Sequence, residues 1–160
     1  MRLGMDTLTF VHVVLSLIGI VSGFVVVFAL LSNSRLEAWT GIFLSTTIAT
    51  SVTGFIFPFT RLLPSHVIGA ISLIVLVPAV YAWYGAHAAG RWRWIYVVTA
   101  TLALYLNVFV LVAQAFMKVP ALATLAPTQS EAPFLAAQAV VLAAFAILGG
   151  LSTVRFRATG

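Results

Sequence analysis

The chain has 160 residues, of which 62% are hydrophobic and only 7% are charged. About 25% of residues are charged in an ordinary soluble domain, and a chain this short has too much surface to hide so many apolar side chains from water. The net charge of +5 comes from basic residues scattered between apolar segments, which argues against a nucleic-acid-binding patch. Because cysteine is absent, disulfides, thiolate metal sites and a cysteine nucleophile are excluded. The composition therefore predicts an integral membrane protein.

Five apolar runs without a formal charge follow one another along the chain. Each has about 20 residues or more, enough to cross roughly 30 Å of hydrocarbon as an α-helix. The runs are continuous instead of alternating, which favours helices over barrel strands. We therefore predict an all-α, five-helix transmembrane bundle in a single domain, with an outer interfacial connection at residues 118–132. The predicted spans are 8–31, 39–59, 66–86, 94–117 and 133–154.

Two kinds of residue mark the ends of these runs. We expect Ser130 to cap the last helix, and prefer it to Thr128 although Thr128 and Glu131 have the spacing of a capping box. Aromatic residues near the ends are expected at the two membrane–water interfaces. They are Trp39, Phe57, Phe59, Trp83, Tyr84, Trp92, Trp94 and Tyr96.

Basic residues are unequally divided between the two sides of the predicted bundle. One side carries Arg35, Arg91, Arg93, Arg155 and Arg157, and the other carries Arg2, Arg61 and Lys118. The positive-inside rule then predicts a cytoplasmic C-terminus and an external N-terminus. Seven of the eight basic residues are arginine and alanine is abundant, a bias typical of GC-rich bacterial genomes. The expected location is a bacterial inner membrane.

Small and hydroxyl side chains indicate where the predicted helices pack, because neighbouring helices are as apolar as lipid tails. On the first helix, Ser16, Gly19 and Gly23 share a stripe with His12. Gly19 and Gly23 form a G-x-x-x-G pair, for which we prefer ordinary tight packing over a dedicated dimer contact. The second helix is rich in hydroxyls that can bond their own i−4 carbonyls, so packing is preferred there over a polar pathway. Its packing candidates are Thr46, Thr50 and Thr53.

A set of polar side chains is predicted in the outer leaflet. By helical rise, His12, Gln114 and Gln138 lie about 6–12 Å inside the nearest charged or capping residue. They either hydrogen-bond one another across helices or line a cavity for a quinone headgroup, a lipid or another amphiphile. The candidate ligand-binding residues are His12, His66, Asn107, Gln114 and Gln138.

Three functional hypotheses remain open. The preferred one is a non-catalytic subunit or accessory protein in a homo-oligomer or larger membrane complex, with a bound lipid and no nucleic-acid partner. The second is a redox-linked protein that holds haem b or a quinone through His12 and His66, although their predicted depths differ by about 9 Å. The third is an oligomeric small-solute channel or carrier lined by the hydroxyls of the second helix. No hydrolase, phosphate-loop or metal-site spacing is present, so no catalytic residue and no metal other than haem iron is predicted.

Overall fold

The fold is helical throughout the part of the chain that the computed structural model describes, which is residues 2–56, 64–128 and 130–156, without the side chains of residues 2–6, 64, 65 and 117. Helices make up 86% of the structure, and these residues contain no strand. The helices are α1 (Arg2–Leu31), α2 (Glu37–Gly54), α3 (Pro64–Val80), α4 (Trp92–Lys118), α5 (Pro120–Leu125) and α6 (Ala132–Arg155), and a π-helical turn, Tyr81–Gly85, continues α3. The all-α prediction is confirmed.

Four described helical segments are long and apolar enough to cross a membrane. They are Thr7–Leu31, His66–Gly85, Trp92–Phe116 and Ala132–Arg155, which correspond to the first, third, fourth and fifth predicted spans. The predicted span 39–59 is not among them. Its helix, α2, ends at Gly54 and carries Glu37 and seven hydroxyl side chains in 18 residues, which lowers its hydropathy. Positions 57–59 lie outside the described residues.

The helices are arranged around α4, which contacts α1, α2, α3, α5 and α6, while α1 packs mainly on α2. Contacts at the ends give the helix directions. The beginning of α1 meets the end of α2 through His12 and Thr53, and the beginning of α4 meets the end of α6 through Arg93 and Thr153. We call the two ends of the bundle the Lys118 end and the Arg93 end.

The main hydrophobic core fills the half of the bundle toward the Arg93 end. Its largest fully buried side chains include Trp83, Tyr96, Phe43, Leu30 and Leu104. The rings of Trp83 and Tyr96 pack together with centroids 4.7 Å apart. Such close packing on several helices at once removes these side chains almost entirely from solvent.

Trp83 is held by polar contacts as well as by packing. Its Nε1 donates to Glu37 Oε2 at 3.0 Å, and the guanidinium carbon of Arg35 lies 4.3 Å from the centre of its ring. Because the chain supplies its own acceptor and cation, the indole is buried without losing its hydrogen bond. The prediction that Trp83 and Tyr96 belong to an interfacial belt is therefore wrong.

Arg93 ties the end of α6 to the rest of the bundle. Its Nη1 donates to the carbonyl oxygens of Thr153 and Phe156, each at 2.6 Å. The last carbonyls of a helix have no partner within the helix and carry the negative end of its dipole, so a cation there stabilises the terminus.

The connection between α4 and α6 is partly helical. It contains α5, and Ala126 is buried beside Phe116 and Phe134, whose rings meet edge to face at 5.4 Å. The N-cap of α6 is Glu131, so the prediction of Ser130 is wrong. Glu131 instead accepts hydrogen bonds from the backbone N–H groups of Thr128 at 2.9 Å and Ser130 at 3.1 Å, which fixes the preceding turn.

Candidate functional site

A cavity of about 520 Å³ lies between α1, α2, α3 and α4, toward the Lys118 end. Apolar side chains such as Val13, Leu17 and Val110 form much of its wall. Its polar lining comes from all four helices and consists of Thr9, His12, Ser16, Thr50, Ser51, His66, Ser72, Asn107, Gln114 and Lys118. Apolar walls with a few convergent polar groups are typical of small-molecule sites of this size.

Four of the five predicted ligand-binding residues line this one cavity. His12 comes from α1, His66 from α3, and Asn107 and Gln114 from the same face of α4. Each is a polar residue inside an apolar run, and such residues turn toward protein because lipid offers them no hydrogen bond.

Gln138 does not line the cavity. It is 9% exposed, and its Nε2 donates to the carbonyl of Phe109 at 3.2 Å, in the contact between α6 and α4. Its Oε1 is buried without a hydrogen-bond partner among the described residues. Depth along a helix does not determine the direction in which a side chain points, so equal predicted depth with Gln114 did not bring the two amides together.

The ring of His12 is oriented by α2. Its Nδ1 lies 2.8 Å from the hydroxyl of Thr53, and that hydroxyl donates its proton to the carbonyl of Ala49 at 2.8 Å. The donor and acceptor roles in the bond between Thr53 and His12 follow the tautomer of the imidazole. Gly54, next in α2, passes close to the ring: a Cβ there would lie 3.6 Å from His12 Cε1.

His66 is 4% exposed and packs against Phe55, with ring centroids 5.9 Å apart. Gly69 leaves room for the Phe55 ring, because a Cβ at position 69 would lie 3.2 Å from Phe55 Cε2. An imidazole and an aromatic ring thus form one side of the cavity together.

Asn107 marks the deep end of the cavity. Its Nδ2 is buried and has no hydrogen-bond partner within the described part of the chain. Gly19 lets α1 approach closely there, because a Cβ at Gly19 would lie 3.2 Å from Thr47 Oγ1 and 3.3 Å from Asn107 Nδ2. One turn further along α1, a Cβ at Gly23 would lie 2.6 Å from Leu104 Cδ1, so α1 and α4 are in close contact there and the cavity ends.

The hydroxyls of α2 are mostly used within that helix. Those of Ser45, Thr46, Thr50, Ser51 and Thr53 each donate to the carbonyl one turn earlier, at 2.5–3.1 Å. A hydroxyl that has donated its proton to its own helix can only accept from a ligand. Thr50 and Ser51 line the cavity with hydroxyls that already donate to carbonyls of α2.

Several cavity residues were not singled out as ligand-binding candidates. Ser16 and Thr50 were predicted for packing, and Ser51 was one of many hydroxyls on α2. Sequence spacing contained a signal for Thr9, which precedes His12 and Ser16 on one helical stripe. No such spacing connects Ser72 with His66, which are about 120° apart around α3.

The described residues contain no group of three or more histidine, aspartate or glutamate side chains that could hold a metal ion. No protein family model matches the chain, and no curated protein and no solved structure is measurably similar to it. Functional inference therefore depends on the cavity and its surroundings.

Proposed function

We propose that this protein is a five-pass membrane protein that binds an amphiphilic molecule in the cavity between α1, α2, α3 and α4 without transforming it chemically. The observation that carries the proposal is the cavity itself, where polar groups from four helices meet apolar walls, and three of those helices are long and apolar enough to cross a membrane. Each isolated polar group in hydrocarbon is unfavourable, so a cluster of them facing one space favours a bound polar headgroup.

The fifth membrane crossing is assigned to α2. Its 18 residues would cover about 27 Å, close to the thickness of the hydrocarbon core. Five of its hydroxyls are already bonded to α2's own carbonyls, so the helix is less polar to its surroundings than its composition indicates. It also packs along α1, one of the apolar segments.

The Arg93 end is assigned to the cytoplasm. Arg35 donates to the carbonyl of His87 at 3.1 Å, and Arg93 bonds the end of α6, where Arg155 also lies, so basic residues from three separate segments collect at this end. Positively charged ends of membrane bundles are preferentially cytoplasmic, which supports our assignment of the cavity to the outer leaflet of a bacterial inner membrane.

The absence of cysteine allows a direct topology test by labelling single-cysteine variants in intact cells. Ser32→Cys reports the turn after α1, and Ala121→Cys reports α5. Five crossings require the two positions on opposite sides, with position 121 accessible from outside. If α2 does not cross, both positions react on the same side, and the five-pass proposal is wrong.

Occupancy of the cavity is tested on protein purified in mild detergent, by native mass spectrometry and lipid extraction. We expect one retained amphiphile per chain. Ser72→Phe fills the cavity from α3 and should remove the amphiphile, whereas Ala144→Phe, on an exposed position of α6, should retain it. An empty wild-type protein, or a Ser72→Phe variant that keeps its ligand, would contradict the proposal.

A redox role is the second candidate, because His12 and His66 line the same cavity and Phe55 packs on His66. These side chains could hydrogen-bond and stack on a quinone, or ligate a haem. An absorbance spectrum of the purified protein tests haem, and extraction followed by mass spectrometry tests quinone. A spectrum without a Soret band and an extract without quinone exclude this candidate while leaving lipid binding intact.

A further inference from the structure

The ionisable side chains that line the cavity are all basic. They are His12 on α1, His66 on α3 and Lys118 at the end of α4, and none of the described lining residues is acidic. On the condition that the proposed amphiphile-binding function holds, this one-sided distribution specifies the chemistry of the headgroup. We propose that the cavity selects amphiphiles whose headgroup is an anionic carboxylate or phosphate.

The described carboxylates of the chain are occupied elsewhere. Glu37 lies toward the Arg93 end, where it accepts from Trp83 and lies 3.6 Å from Arg35 Nε. Glu131 accepts from the turn that precedes α6. Neither of them lines the cavity, and Lys118 is exposed at the end of α4, where an anionic headgroup can reach it.

Neutral donors extend the same preference. Gln114 offers an amide between Asn107 and Lys118 along α4, and the side chain of Asn107 lines the same cavity. An anionic oxygen accepts from ammonium, imidazole and amide donors more strongly than a neutral ester or alcohol does. Apolar residues such as Val13 and Val110 provide the surface for the attached chain.

The experiment compares three amphiphiles with the same oleoyl chain, added to the delipidated full-length protein in a nonionic detergent and measured by native mass spectrometry. Oleic acid presents a carboxylate, 1-oleoyl lysophosphatidylglycerol presents a phosphate, and monoolein is neutral. We expect at least one anionic ligand to bind about tenfold more tightly than monoolein, the size of one charge-assisted hydrogen bond. Whichever anion binds identifies the source of the headgroup.

Substitutions that each remove one charged side chain test whether the preference for anions arises in the cavity. Lys118→Gln should reduce the anion preference several-fold and Lys118→Arg should preserve it, because arginine keeps the charge. Arg155→Gln removes a basic residue at the opposite end and should change nothing. Asp6→Asn removes an acidic residue on α1 and should leave anion affinity equal or higher. A fall in anion affinity in either of the last two variants would contradict the proposal.

The failures of the two proposals are distinguishable. If monoolein binds as tightly as both anions, anion selection is wrong and amphiphile binding stands. If none of the three ligands binds wild-type protein, both are wrong. The wild-type comparison needs no substitution, so a variant that fails to fold does not affect it.

Discussion

The two halves of the bundle differ in how much open space surrounds their polar groups. Toward the Arg93 end, Trp83, Glu37 and Arg35 satisfy one another, and large side chains fill the space around them. Toward the Lys118 end, polar groups surround an open cavity, and Asn107 Nδ2 has no partner among the described residues. Buried polar atoms without a partner among the described residues occur in both halves: Asn107 Nδ2 beside the cavity, and Thr101 Oγ1 and Ser152 Oγ toward the Arg93 end. The halves therefore differ in open space and not in the presence of unpaired groups. A well-packed half allows the other half to keep an unfilled polar space.

The largest expected loss of stability comes from adding a methyl group inside the packed half of the bundle. Gly23→Ala places a Cβ 2.6 Å from Leu104 Cδ1 and 2.9 Å from the ring of Phe43, both fully buried. Overpacking of this kind lowers the free energy of unfolding by about 1–3 kcal/mol. Denaturant titration of the variant and the wild-type protein in mild detergent measures the difference in free energy of unfolding.

The matched control is Gly54→Ala, at the other end. Its Cβ would lie 3.6 Å from His12 Cε1, an ordinary contact, so stability should change by less than about 0.5 kcal/mol. Equal losses in the two variants would show that the halves do not differ in packing.

The next effect concerns the polar contacts of the packed half. Arg93→Gln removes the charged donor to two carbonyls at the end of α6 and should lower the free energy of unfolding by about 1–2 kcal/mol. Arg93→Lys keeps the charge at the helix terminus and should recover part of the loss. A Lys variant as unstable as the Gln variant would mean that the guanidinium geometry matters more than its charge.

Four polar residues that line the cavity in the open half were predicted from the sequence. His12, His66, Asn107 and Gln114 interrupt apolar runs, and a polar group in a membrane helix has to turn toward protein. Their convergence on one cavity follows from that requirement together with helical periodicity. Gln138 obeys the same rule but meets the other side of α4, because the rule does not state which neighbour a side chain faces.

The packed half was harder to predict. Trp83 and Tyr96 have the composition and position of an interfacial belt, yet both are buried. The acceptor that makes this possible, Glu37, is 46 residues from Trp83 in the chain, and no local pattern connects them. The predicted span 39–59 is not among the four described helices that are apolar enough to cross a membrane, because the hydroxyls of α2 count as polar although most bond their own helix.

A smaller effect separates packing amides from cavity amides. Gln138→Leu removes one hydrogen bond to Phe109 but also a buried oxygen without a partner, so stability should change by less than about 1 kcal/mol. Asn107→Leu removes a similarly unpaired N–H group and should be equally mild. Their effects on amphiphile retention should differ: Gln138→Leu keeps the ligand and Asn107→Leu loses it. Loss of ligand in both variants would extend the site to α6.

The smallest expected effect is local and depends on pH. Hydrogen bonds from the side chain and backbone of Thr128 lower the pKa of Glu131 from 4.5 to about 2. A carboxylate whose pKa is lower in the folded state contributes stability above its unfolded pKa and loses it as the pH falls through the folded value. Hydrogen exchange at the backbone amides of Thr128 and Ser130 should therefore become faster, relative to the packed half, as the pH falls from about 4.5 to 2. In Glu131→Gln this relative change should disappear, because the amide does not titrate. A wild-type protein whose protection at these amides follows the packed half throughout that range would show that Glu131 does not fix the turn before α6.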